Sequence, residues 1–126
     1  MWLLTKIGFY SITKKPSHLN PDGPAVFNIR GRDKADLKRI AELVSPDLAK
    51  RPVVHEYSHS DYPYRIYLNT QEEMDDLMAK LAGLIDYDNF KGKIDSTPHQ
   101  KLKSEAYHKF WGLLDRAHQK LRPTCN

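Results

Sequence analysis

Two short runs in this chain alternate apolar and polar side chains over most of their length, and they constrain the fold more than any other feature. In residues 25–32, Ala25, Phe27 and Ile29 point one way while Asn28, Arg30 and Arg32 point the other. In residues 64–69, Tyr64, Ile66 and Leu68 share one side and Arg65 and Tyr67 the other. Successive side chains of a strand leave on opposite faces, so a period of two marks a strand with one buried face. Each run predicts a strand of a sheet covered on one side only. Arginine and tyrosine fall on the uncovered side.

The rest of the chain supplies the cover. Residues 2–13 read as a central strand, with Leu3, Thr5, Ile7 and Phe9 on one face and Leu4, Lys6, Gly8 and Tyr10 on the other. Residues 14–24 hold three prolines, Asn20 and Asp22-Gly23, which is turn chemistry. Asp33 is placed to cap a helix over residues 34–44, where Leu37, Ile40, Ala41 and Val44 recur at helical spacing. Residues 52–58 form a short strand candidate. Thr70-Gln71-Glu72-Glu73 is a capping box, and it opens a helix to about residue 85 with Met74, Leu77, Met78, Leu81 and Ile85 inward. An irregular link with Tyr87 and Phe90 follows. Thr97-Pro98 then reads as the start of a last helix to about residue 121. The order ββαββαα predicts an α+β fold: a two-layer sandwich with a four-stranded, mainly antiparallel sheet. It corresponds to a permuted ferredoxin-like arrangement, ββαββα, plus a C-terminal helix. One domain is expected over residues 1–122, with a frayed tail at 123–126.

Composition narrows the class. Hydrophobic residues make up 40% and charged residues 29% of the 126, which is ordinary for a globular chain. The single cysteine, Cys125, excludes an internal disulfide and suits a reducing compartment. The opening apolar residues stop at Lys6, without the pattern of a signal peptide. No run reaches the length of a membrane helix. A cytoplasmic location with no membrane partner is expected. Charge is uneven. Residues 1–39 carry eight Lys/Arg against three acids, residues 40–98 six against eleven, and residues 99–126 six against two. Basic ends flanking an acidic middle suit a polyanion partner or self-association equally.

Several segments resemble those of a family of small uncharacterised bacterial proteins. They are Met1-Trp2-Leu3-Leu4-Thr5 with Gly8-Phe9-Tyr10-Ser11-Ile12, the strand Asn28-Ile29-Arg30-Gly31-Arg32, the segment Asp61-Tyr62-Pro63-Tyr64-Arg65, the segment Ile85-Asp86-Tyr87-Asp88-Asn89-Phe90-Lys91, and the closing Tyr107 and Trp111. Gly31 departs from the family pattern, which usually has alanine there, and the loop over residues 17–23 is longer. The resemblance implies a single bacterial domain and brings no established activity.

The candidate binding residues are Lys6, Tyr10, Arg30, Arg32, Arg65 and Tyr67 of the polar sheet face, together with Tyr64. Arginine can pair with phosphate, and tyrosine can stack on unpaired bases. The leading expectation is a small binding protein that engages RNA, single-stranded DNA or an acidic protein surface. A second is a small nuclease or nucleotide-processing enzyme, using Arg30, Arg32, Tyr64 and Arg65 with a carboxylate from Asp61, Asp86 or Asp88. A third is a homodimer that packs these faces together against acids of the middle segment. His55 and His59 have metal-like spacing but lack the further ligands a zinc site needs. No metal or cofactor is expected. No nucleophile motif and no phosphate loop is present.

Overall fold

The computed structural model describes residues 1–122, so the expected tail at 123–126, with Cys125, lies outside the described residues. The fold is α+β. Five strands form one antiparallel sheet: β1 (Trp2–Leu4), β2 (Phe9–Lys15), β3 (Val26–Gly31), β4 (His55–Glu56) and β5 (Tyr64–Leu68), in the order β1-β2-β3-β5-β4. Helices α1 (Lys34–Val44) and α2 (Gln71–Ala82) follow β3 and β5. The chain forms two compact units, Met1–Asp86 and the segment from Tyr87 onward.

The strand count corrects the expected four. The run at residues 2–13 is two strands, not one, because a turn interrupts it. The Thr5 hydroxyl accepts from the backbone N–H of Ile7 and Gly8, at 3.2 and 3.1 Å, and donates to the Gly8 carbonyl at 2.8 Å. Gly8 is required there by close approach: a Cβ would sit 2.6 Å from both Asp36 Cγ and the Tyr10 hydroxyl. The turn reverses the chain, and β1 pairs back on β2 with Trp2 opposite Ser11 and Leu4 opposite Phe9.

The core of this unit lies between one sheet face and the two helices. Tyr10, Ile12, Ile29, Ile66 and Leu68 from the strands meet Leu37, Ile40 and Ala41 of α1 and Met74, Leu77 and Leu81 of α2. The caps are the ones the sequence predicts. Asp33 accepts from the Ala35 N–H at 3.0 Å, and Thr70 from the Glu73 N–H at 3.1 Å. The second helix is shorter than expected, ending at Ala82, which leaves Ile85 exposed; Met78 is also exposed. A polar strap ties β2 to α1. Asp36 is 1% exposed, accepts from the Phe9 N–H at 3.2 Å, and pairs with the Arg39 guanidinium at 2.5 Å. Arg39 Nε donates to the Ile7 carbonyl at 2.6 Å. The Tyr10 hydroxyl donates to the Asp36 carbonyl at 2.7 Å.

In the second unit the expected irregular link contains a helix, α3 (Phe90–Ser96), capped by Asn89, whose side chain accepts from the Gly92 N–H at 3.3 Å. Thr97 ends α3 rather than opening the last helix: its N–H bonds the Ile94 carbonyl and its hydroxyl the Lys93 carbonyl. A 3-10 turn at Lys101–Lys103 leads into α4 (Ser104–Leu121). Ile94, Gln100 and Tyr107 are buried, with Phe90 against Tyr107 at 5.7 Å between ring centres. Among the described residues no helix is long and apolar enough to cross a membrane.

Candidate anion site on the sheet face away from the helices

The sheet register fixes what stands beside what. Ser11 pairs with Arg30, Arg30 with Arg65, and Arg65 with His55. Trp2 pairs with Ser11 at the other end. One row across the sheet therefore reads Trp2, Ser11, Arg30, Arg65, His55, all on the face opposite the helices. Asn28 and Tyr67 pair in the next row.

Two arginines directly opposite each other repel, and like charges in this position destabilise a sheet. Carboxylates usually relieve such a pair. Here none forms an ion pair: among the described residues no carboxylate lies within ion-pair reach of Arg30, Arg32 or Arg65, and Asp61 offsets the charge of Arg65 only at longer range. Neutral groups hold them instead. Arg65 is 3% exposed; its Nε donates to the Tyr62 carbonyl at 3.3 Å and its Nη2 to the Ser60 hydroxyl at 2.8 Å, while Nη1 lies 3.5 Å from His18 Nε2. Arg30 Nη2 donates to the Ser11 hydroxyl at 2.6 Å, and its Nε is buried with no hydrogen-bond partner. Arg32 Nε donates to the Asp61 carbonyl at 3.2 Å.

Aromatic rings complete the setting. The Arg30 and Arg32 guanidinium groups lie 4.5 and 5.0 Å from the centre of the buried Tyr62 ring. Arg65 lies 5.6 Å from the centre of Tyr57. The Tyr57 and Tyr67 hydroxyls share a hydrogen bond at 2.8 Å, and His18 packs edge-on against Tyr57. His18 from the loop over residues 16–25 and Tyr57, Ser60 and Tyr62 from the segment 57–63 thus lie against the arginines.

The titratable groups report a positive field. Burial, then the neighbouring Arg30, pushes Arg65 below its ordinary value. Lys15 is pushed down by burial, then by Arg65 and Arg30. His18 is pushed down by burial, then by Arg65 and Lys15, which favours its neutral form. Burial and the bond to Tyr57 push the Tyr67 hydroxyl up to about 12, so it is a hydroxyl at neutral pH. Burial is the first cause at each of these groups and opposes charge of either sign, while the neighbouring arginines add to it at Lys15, His18 and Arg65.

Of the seven expected residues, Arg30, Arg32, Arg65 and Tyr67 come together here. Three do not. Tyr10 is fully buried on the helix side, because the turn at residues 5–8 resets the strand phase and puts Ser11, not Tyr10, beside Arg30. Tyr64 packs against the core on the helix side. Lys6 lies in the turn and pairs with Asp86 at 2.7 Å, which also takes Asp86 away from the expected catalytic carboxylates. Sequence reasoning does not assign Lys15, Ser11, His18, Tyr57, Ser60 or Tyr62 to the site. Ser11 and Lys15 are open to it from strand alternation once the turn is placed. His18, Tyr57 and Ser60 reach the site through loop conformation, which carries no periodic signal. His55 packs on the Tyr67 ring at 5.4 Å and His59 is exposed. Among the described residues, no three His, Cys, Asp or Glu side chains are grouped to hold a metal. No family model, curated protein or solved structure matches this chain.

Proposed function

We propose that this chain is a small cytoplasmic binding protein that engages single-stranded nucleic acid through the face bearing Arg30, Arg32 and Arg65. The observation that carries this reading is the opposed, mostly buried pair Arg30–Arg65 with no carboxylate in reach among the described residues. Buried charge normally comes with a partner of opposite sign. Phosphate supplies one in the planar geometry that guanidinium matches. Nucleic acid is favoured over an acidic protein surface because the row that holds the arginines also ends in an exposed tryptophan.

Two finer points belong to the same reading. The order β2-β3-β5-β4 with α1 and α2 supports a permuted ferredoxin-like two-layer sandwich, with β1 as an added edge strand. Two of the segments that resemble small bacterial proteins, residues 28–32 and 61–65, are the ones that build the arginine cluster. The other expectations have less to stand on. Packing of two sheet faces would require a flat surface where the loops over residues 16–25 and 57–63 already lie. For a nuclease, Asp61 lies next to the arginines, but its hydrogen bond to Arg32 is made by its backbone.

The test is fluorescence anisotropy of a labelled single strand of RNA or DNA across a salt series. Affinity should fall steeply as salt rises, since phosphate contacts release counterions. Arg30→Ala should weaken binding by about tenfold, the worth of a charge-assisted contact, with Lys38→Ala on the exposed side of α1 unchanged. Equal binding by wild type and Arg30→Ala would sink the reading.

A further inference from the structure

We propose that this face takes the end of a strand: a terminal phosphate monoester seats among Arg30, Arg32 and Arg65, and the rest of the strand leads away from it. The inference rests on the nucleic-acid reading above and names the part of the strand that enters the site.

Charge is the first argument. Arg30 and Arg65 stand opposite each other in register. Arg30 and Arg32 bring their guanidinium groups to one ring, Tyr62, at 4.5 and 5.0 Å from its centre. Lys15 stands in the same field: burial lowers its pKa first, and Arg65 and Arg30 lower it further. Asp61 opposes this charge only at longer range. The phosphodiesters inside a strand bring single charges spaced along the backbone. A terminal monoester gathers about two negative charges on one phosphorus at neutral pH. Cations gathered at one place gain most from charge gathered the same way.

Depth is the second argument. Arg32 is exposed, whereas Arg65, Ser11 and Tyr62 are buried. The cluster therefore runs from solvent at Arg32 down to a covered floor at Arg65. An internal phosphate is held off such a floor by the sugars on either side of it. A terminal phosphate has a sugar on one side only and reaches further in.

The donors agree. Arg30 Nε is buried without a hydrogen-bond partner. The Ser11 hydroxyl accepts from Arg30 Nη2 at 2.6 Å and keeps its own proton to donate. A monoester offers three terminal oxygens as acceptors, one more than a diester.

The experiment compares oligothymidylates of one length by anisotropy, each labelled at the end away from the variable group. That group is a hydroxyl, a phosphate, or a phosphate capped as its methyl ester, placed at the 5′ end in one set and at the 3′ end in another. In at least one set the phosphate should raise affinity about tenfold, the worth of a further charge-assisted contact. The capped phosphate, which has lost the second charge, should bind close to the hydroxyl strand. Arg32→Ala should remove most of the preference, and Lys38→Ala should keep it. Equal affinity for all three ends in both sets would overturn the inference and leave the nucleic-acid reading standing. A preference that survives the methyl cap, or that Arg32→Ala leaves whole, would also overturn it. Thymidine 5′-monophosphate binding as tightly as the phosphorylated strand would keep the monoester and overturn the strand. Absence of binding by every probe would overturn both.

Discussion

Arg65→Met is expected to keep the fold, melting within a few degrees of wild type or above it, while single-strand binding falls at least about tenfold. The two outcomes belong together. Arg65 is buried, faces Arg30 in register, and has no carboxylate within reach among the described residues. Replacing a buried charge by an apolar side chain of similar length is often neutral or stabilising. Here it also removes the repulsion with Arg30. The groups that Arg65 holds are a backbone carbonyl, a partly exposed serine hydroxyl, the His18 ring nitrogen at 3.5 Å and the Tyr57 ring. Water can take over the hydroxyl's bond. If Arg65 served only to brace the loop over residues 57–63, Arg65→Met would destabilise by about 2 kcal/mol or more. Thermal melts alongside anisotropy separate a residue kept for binding from one kept for folding.

Asp36→Ala should have the largest effect on stability in this unit, about 3 kcal/mol. The Asp36 carboxylate is buried and makes the ion pair with Arg39 and the bond to the Phe9 N–H. Its loss leaves a buried backbone donor open and a half-buried guanidinium without its counter-charge, and each is costly. Asp36→Asn can still accept from Phe9 and should recover part of the loss. A urea melt reads the difference through the midpoint, provided the slope stays constant. A loss below about 1 kcal/mol in Asp36→Ala would show that the strap is no stronger than a surface pair.

Much of the sheet is legible in the sequence, for a physical reason. The runs at residues 25–32 and 64–69 bury one face each, and burial writes itself into alternate positions. Alternation alone puts Arg30, Arg32, Arg65 and Tyr67 on one face. The helices α1 and α2 are equally legible, since Asp33 and Thr70 satisfy their first N–H groups in the way their spacing predicts. The turn at residues 5–8 is not. Apolar residues continue on both sides of it, so periodicity does not reveal the break. An unbroken strand through residues 2–13 puts Tyr10 on the wrong face and hides Ser11. The loops are illegible for a different reason. His18, Tyr57, Ser60 and Tyr62 reach the arginines through irregular backbone, where neither a period of two nor of 3.6 applies. Tyr64 is misplaced when its residue type is weighed over its position: alternation already puts it with Ile66 and Leu68.

Arginine side-chain NMR tests the central claim most directly. The Nε–Hε signals of Arg30 and Arg65 can be followed while an oligothymidylate is added at constant ionic strength. If the pair is an anion site, both signals should move together and saturate at the same strand concentration, and the signal of Arg39, tied to Asp36 and Ile7, should stay put. Fixed Arg30 and Arg65 signals at a concentration where anisotropy reports full binding would contradict the claim.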